Sequence, residues 1–303
     1  MAISRGQLVK ELEPGLNALF GLEYKQYENQ HAEIYTTESS DRAFEEEVML
    51  SGFAQAQVKA EGSGVSFDNA QETFTARYTH ETVALAFSIT EEAIEDNLYD
   101  RLASRYTKAL ARSMAQTKQV KAVNPLIQGL PTTDGYDSGD GVSLFNTSHP
   151  TIAGTVQNTL TTQADLNETS LEQSLIDIAA MTDERGLKIA ARGVKMIIPS
   201  ELQFTAERLM KSQNRVGTAD NDINAIRNMG MIPQGYRVNN FLTDTDAFYI
   251  ITDVPNGMKY FQRAAIKTAM EGDFDTGNVR YKARERYSFG VSDPRGIFGV
   301  EGA

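Results

Sequence analysis

Ser148 and His149 stand side by side, a hydroxyl next to an imidazole, the two groups that a nucleophile and its base require. Adjacent residues rarely bring these groups into attack geometry, and Asn146-Thr-Ser-His-Pro150 lacks the flanking glycines of a nucleophile elbow. A capped turn ahead of Pro150 is the better reading. His31 and His80 complete the imidazole inventory and have no partner at ligand spacing, which makes them structural. Asp134, Asp137 and Asp140 alternate with Gly135, Gly139 and Gly141, yet a calcium loop needs oxygens two residues apart rather than three. A flexible acidic loop fits better. Gly62-Ser-Gly64 is too short to cradle a phosphate, and Glu45-Glu46-Glu47 reads as a solvated face. With no cysteine in the chain, disulfides and thiolate metal sites are excluded. The residues therefore describe a protein that is not an enzyme and needs no cofactor; a Ser148/His149 hydrolase is the remaining catalytic alternative.

What would position these groups is dominated by one helix. From Ser88 on, Ile94, Leu98, Leu102, Tyr106, Leu110 and Met114 recur at every fourth residue. Ser88 and Glu91 offer a capping box, and Asn124-Pro125 a stop. Acidic residues crowd its first half and basic residues its second, as a helix dipole favours. Such a helix is a spine of roughly 50 Å.

Upstream, Val83, Leu85, Phe87 and Ile89 alternate with smaller or polar residues, as do Phe74, Ala76 and Tyr78, which is the period of a strand. With Val48–Ala60 and a polar tip at 61–69 they form a long two-stranded excursion that cannot be stable alone in water. In residues 1–41 Pro14-Gly15 breaks any early helix. The aromatics there suggest an extended arm packed on something else, or else an N-terminal helix folded onto its own domain. Further on, the pattern predicts a helix from Asp165 or Thr169 to about Glu184, capped by Asp165 and Glu168 and ended by Gly186. It also predicts a buried strand over 194–199, a helix capped by Ser200 and Gln203, strands near 235–238, 248–252 and 259–261, and one long strand over 278–290. The mixture is α+β without a repeating strand–helix unit.

Composition narrows the class. The 303 residues are 41% hydrophobic, enough for a sizeable core. No apolar stretch approaches the ~18 residues that span a membrane, and no signal peptide opens the chain. The lack of cysteine suits an intracellular folding compartment. The net charge of −12, from 41 acidic and 29 basic residues, and the lack of a compensating Lys/Arg run argue against tight nucleic-acid binding.

The order of arm, β excursion, spine helix, compact α+β lobe and returning long strand resembles the major capsid proteins of tailed bacteriophages, the Hong Kong ninety-seven capsid fold. Local sequences carry the resemblance. Pro14–Tyr27 looks like the arm opening of a myophage-type branch, and Thr37–Glu47 with Ser51-Gly-Phe53 like the start of its extended loop. Leu144-Phe-Asn-Thr-Ser-His-Pro150 is similar to a Mu-like head-subunit pattern, and Arg286–Arg295 to the family's C-terminal strand.

The resemblance implies an N-terminal arm at 1–41, an extended β loop at 42–89, a peripheral domain with the spine helix at 90–159, an axial α+β domain at 160–260, and returning peripheral strands with the C-terminus at 261–303. It implies a virion subunit that self-assembles in the host cytoplasm into pentamers and hexamers of an icosahedral shell around double-stranded DNA, without sequence-specific DNA contacts and without a membrane. Scaffold, portal and any decoration protein would be separate chains, and the intact arm argues against proteolytic maturation. An encapsulin-type nanocompartment is the alternative within the fold. Tyr24, Tyr27, Tyr35, Phe44 and Phe67 lie in segments that cannot form a core alone and are expected to be buried between subunits. Lys59 lies near the loop tip, where some family members cross-link a lysine to a neighbour's asparagine; no cross-link is expected here.

Overall fold

The computed structural model describes residues 5–90, 92–93, 99–133, 135–215, 222–273 and 277–303. Two four-stranded sheets organise the chain. The first has the order β1 (Thr36–Ser39), β10 (Met258–Gly272), β11 (Val279–Val291), β4 (Glu81–Ile89), with β1 parallel to β10 and the other neighbours antiparallel. The second has the order β12 (Ile297–Val300), β9 (Phe248–Thr252), β7 (Gly193–Ile198), β8 (Tyr236–Val238). Two small ribbons complete the β structure: β2 (Phe44–Leu50) with β3 (Glu72–Thr79), and β5 (His149–Thr151) with β6 (Gly154–Val156).

The expected strict alternation in β4 holds, but it places the strand differently. Val83, Phe87 and Ile89 turn toward the helices, and β4 pairs with β11 along its whole length. The two-stranded loop is therefore β2 and β3 alone, while residues 51–71 run out without a ladder. Residues 261–303 do not stay in one layer either. β10 and β11 close the first sheet and β12 completes the second.

Against the first sheet pack α1 (Arg5–Gln26) and α2 (Tyr99–Gln128), the latter 30 residues and about 45 Å long. The expected stop at Asn124-Pro125 is overridden. Ala122, Val123 and Leu126 are buried on both sides of Pro125, and this packing outweighs the helix-breaking cost of about 3 kcal/mol. The expected stripe also drifts. Four residues turn 400°, so a strict fourfold spacing walks around the helix, and Tyr106 ends 49% exposed. The buried seam instead runs Ala103, Thr107, Leu110, Met114, Lys118 at mixed three- and four-residue steps. Ser88 lies in β4, opposite Arg280 of β11; its expected capping partner Glu91 falls outside the described residues, as do Ile94, Leu98 and the Leu102 side chain.

Around the second sheet lie α3 (Glu168–Ala180), α4 (Gln203–Lys211) and α5 (Ala225–Met229). The cap of α3 is Asn167 with Ser170 rather than Asp165 with Glu168. Asp165 instead accepts Ser170 Oγ on its carbonyl at 2.7 Å. The helix stops at Ala180, because 181–189 fold into a turn in which Gly186 takes a positive φ of 81°. Ser200 opens a 3-10 turn, and α4 has no side-chain cap. Leu171, Leu175, Ile178, Met196, Ile198, Phe248, Ile250 and Phe298 form the core of this lobe. A second core joins Tyr35, Leu126, Leu144, Phe145, Tyr249 and Ile297, filling the space between the two sheets.

Candidate inter-subunit surface

The residues that could do chemistry come first, because their geometry decides what remains. His149 is buried with both ring nitrogens occupied: Nδ1 lies 2.6 Å from Asp140 Oδ2 and Nε2 2.9 Å from Asn158 Oδ1. Asn158 is fixed by donating through Nδ2 to the carbonyls of Leu144 and Pro294. Ser148 is exposed, and its backbone N–H is turned to Asn146. No imidazole nitrogen is left to take a proton from a serine, so the Ser148/His149 pairing is not formed. Asp140 is a hydrogen-bond acceptor for His149, Ser138 and Val142. Burial alone would raise its carboxyl, and these partners hold it below the ordinary range instead. Asp134 lies outside the described residues. Among the described residues no cluster of three His, Cys, Asp or Glu is arranged to hold a metal ion.

The arm folds back on its own chain. α1 runs through Pro14, and the expectation of a break there is corrected. Leu16 and Phe20, beyond the proline, are buried against Ile89, Leu110, Met114 and Tyr281, which holds the helix together. Asn17 Oδ1 accepts from Thr268 Oγ1 at 2.7 Å and from the Tyr281 hydroxyl at 2.9 Å. Tyr24 is half-buried, donates to Glu285 at 3.2 Å and accepts from Lys118 Nζ at 2.7 Å. Tyr27, just past the end of α1, is half-buried and donates to Glu23 at 3.4 Å. Tyr35 is only 4% exposed in the single chain and donates to the carbonyl of Ala122 at 2.6 Å. Its expected burial between subunits is thus overturned. The start of β1 delivers it into the core between the sheets, where its ring lies tilted against Phe289 at 5.0 Å.

The loop behaves oppositely. Its base is anchored: Glu47 pairs with Lys259 and with Ser292, Tyr78 packs on Phe261 at 4.8 Å, and Arg185 donates to the Asn69 carbonyl. Beyond the base nothing covers it. Phe67 is 97% exposed and Val58 fully exposed, and Leu50, Phe53 and Val65 are exposed as well. Phe44 is exposed with the Arg77 guanidinium 4.2 Å from its ring, and Lys59 is exposed near the tip. Each large apolar side chain here forgoes about 1.5–3 kcal/mol of burial. Val58 and Val65 were not singled out in the sequence, and Phe53 only as part of Ser51-Gly-Phe53 and not as a contact residue. Their signal was apolar residues in an aperiodic Gly/Ser-containing stretch, where no element of the same chain can shelter them.

A family model described as "phage capsid protein" matches residues 72–300. The chain belongs to the phage capsid protein family. No curated protein matches it. Among solved structures, a chain from Mycobacterium phage Che8 is similar, at 17% identity and TM-score 0.54, over 91% of this chain and 93% of that one. The capsid of Myoviridae phage XM1 matches at 11% identity and TM-score 0.52, covering 89% of each chain. The virus-like particle from Pyrococcus furiosus matches at 9% identity and TM-score 0.54, over 94% of this chain and 98% of that one. The fold is therefore that of tailed-phage capsid proteins, α+β with an arm, a projecting loop and a long helix. The capsid protein is a structural component, and among its described residues no helix is long and apolar enough to cross a membrane.

Proposed function

We propose that this capsid protein is the major head subunit, which assembles into pentamers and hexamers of an icosahedral shell around double-stranded DNA. The observation that carries the reading is the loop over 44–79, anchored at its base and carrying uncovered Phe and Val side chains beyond it, on a chain of the capsid family. A monomer gains nothing from exposing Phe53, Val58, Val65 and Phe67; a ring or shell of copies covers the same residues at every equivalent contact. Phe44, Lys59, Phe67 and the outer side of Tyr27 are the contact residues on this reading, with Tyr24 contributing only what its own chain leaves open. The first sheet with α1 and α2 forms the peripheral part and the second sheet with α3 to α5 the axial part. Scaffold and portal are separate chains, and assembly takes place in the host cytoplasm.

Electron microscopy of the purified chain, alone and co-expressed with a candidate scaffold, tests this. Capsomers or closed shells are expected; a compact monomer under every condition would refute it. The likeness to a virus-like particle favours a second reading, a nanocompartment shell. Particle contents separate the two: DNA in one case, a protein cargo in the other.

A further inference from the structure

The solvent face of the first sheet carries a charge pattern at odds with the acidic whole. Arg280, Lys282, Arg284 and Arg286 occupy alternate positions of β11, so all four project from the face opposite Tyr281, Ala283 and Glu285, which turn toward the helices. Lys267 of β10 sits directly across from Arg284 in the ladder. The sequence offers no contiguous run of Lys and Arg, yet the strand period gathers five cations into one ridge about 20 Å long. Arg280 is paired with Asp273. Among the described residues, Lys267, Lys282, Arg284 and Arg286 have no carboxylate partner. Like charges directly opposed across a ladder are destabilising, so Lys267 and Arg284 hold an unneutralised repulsion that folding does not require.

The surroundings indicate what the ridge fits. β4 flanks it with Thr82, Ala84, Ala86 and Ser88, opposite Arg286, Arg284, Lys282 and Arg280 respectively, and β10 contributes Ala264 and Ala269, with Glu271 opposite Arg280 at the far end. Lys267, Lys282 and Arg284 stand exposed above a surface of small side chains, while Arg286 is half-buried and donates through Nε to the His80 carbonyl. Protein interfaces carry an apolar centre enriched in aromatics and depleted of charge, and these ladder positions present neither an aromatic nor a large aliphatic side chain. Contacts to nucleic-acid backbones use Arg, Lys, Ser and Thr, the residue types present here. Without aromatic platforms, single-stranded bases have nothing to stack on.

We propose that this ridge binds the phosphate backbone of duplex DNA, without reading its sequence. The proposal does not depend on shell assembly and is tested on the soluble full-length chain. The probe is a fluorescein-labelled random-sequence 20-base-pair duplex, titrated by anisotropy at several salt concentrations. Each neutralised phosphate contributes about −0.9 to the slope of log K against log salt, so four contacts predict a slope of roughly −3.6. Lys282→Ala with Arg284→Ala should bring it to roughly −1.8, and Lys267→Ala alone should reduce it by about 0.9. Both variants relieve like-charge repulsion, and their circular dichroism melts should match or exceed that of the parent. Lys188→Ala with Lys211→Ala, exposed lysines outside the ridge, should leave the slope unchanged. No detectable binding at low salt, or the same slope in the ridge variants, overturns the proposal. It is equally overturned if polyglutamate displaces DNA at lower charge concentration than DNA itself, which would assign the ridge to an acidic polypeptide.

Discussion

Lys118 of the long helix and Glu285 of the long C-terminal strand meet at 2.6 Å, both buried, with the ring of Tyr24 from the arm 5.3 Å from the ammonium. Three segments far apart in sequence are thereby joined at one charge pair. Burial outweighs the pairing for Glu285 and raises its carboxyl above the ordinary range, which shows how little water reaches this point. Removing one partner of such a pair leaves a buried charge alone and costs about 3–5 kcal/mol, whereas replacing both is far milder. Lys118→Met should therefore lower unfolding stability by that amount, and Lys118→Met with Glu285→Leu should restore most of it. Urea melts of the two variants decide it; equal stability of single and double variants would show that the pair does not hold the arm.

His31 gives the fold a pH dependence of known sign. Burial first, then the nearby Lys118 charge, lowers its imidazole to about 4, against a contribution from Gln119 that raises it. In the unfolded chain it protonates near pH 6.5. Between pH 6.5 and 4 the unfolded state therefore binds the extra proton, and stability falls as the pH is lowered through that window. The full effect is about 3 kcal/mol, reached below pH 4. His31→Gln should flatten this part of the stability profile relative to the parent; parallel profiles would refute the assignment.

Loop and spine substitutions should separate assembly from folding. Phe67→Ala removes a side chain that is 97% exposed in the single chain, so the subunit should melt as before while assembly weakens. Interface aromatics commonly cost about 2 kcal/mol or more on truncation. Leu110→Ala, by contrast, should destabilise the subunit by about 2–5 kcal/mol. Paired melts and sedimentation profiles check both. Loop variants that unfold the free subunit yet assemble normally would reverse the roles given to these segments.

His149→Ala should expose what its neighbours demand. Asp140 would be left buried without its imidazole, and Asn158 would lose one of the donors that satisfy it. A loss of about 3–5 kcal/mol is expected, with no esterase or amidase activity in the parent to be lost. A catalytic turnover in the parent that His149→Ala abolishes at unchanged stability would show instead that the imidazole works on a substrate.

These sites mark where the sequence could be read and where it could not. The long strand at 279–291 and the existence of the long helix follow from periodicity, since one face of each is buried over most of its length, and the strand at 193–198 from an apolar run, since both its faces are covered. α1 could not be read past Pro14, since the packing of Leu16 and Phe20 that rescues it comes from strands far along the chain. Tyr35 and Phe67 looked alike as aromatics in weakly patterned segments. Only the pairing of β1 with β10 distinguishes a residue drawn into the core from one left outside. The basic ridge was hidden for a different reason: Tyr281, Ala283 and Glu285 interrupt it in sequence but not in space.

Both sheets are finished by the end of the chain: β10 and β11 form the middle of one, and β12 the edge of the other. Until that segment is made β4 and β1 lack their sheet partners, and α1 and α2 can pack only on each other and on β4. The subunit becomes a folded body only when residues 258–300 have emerged from the exit tunnel. A chain in which β10 to β12 are lost or misplaced therefore leaves both sheets incomplete at once, so damage to this one segment disables both lobes together.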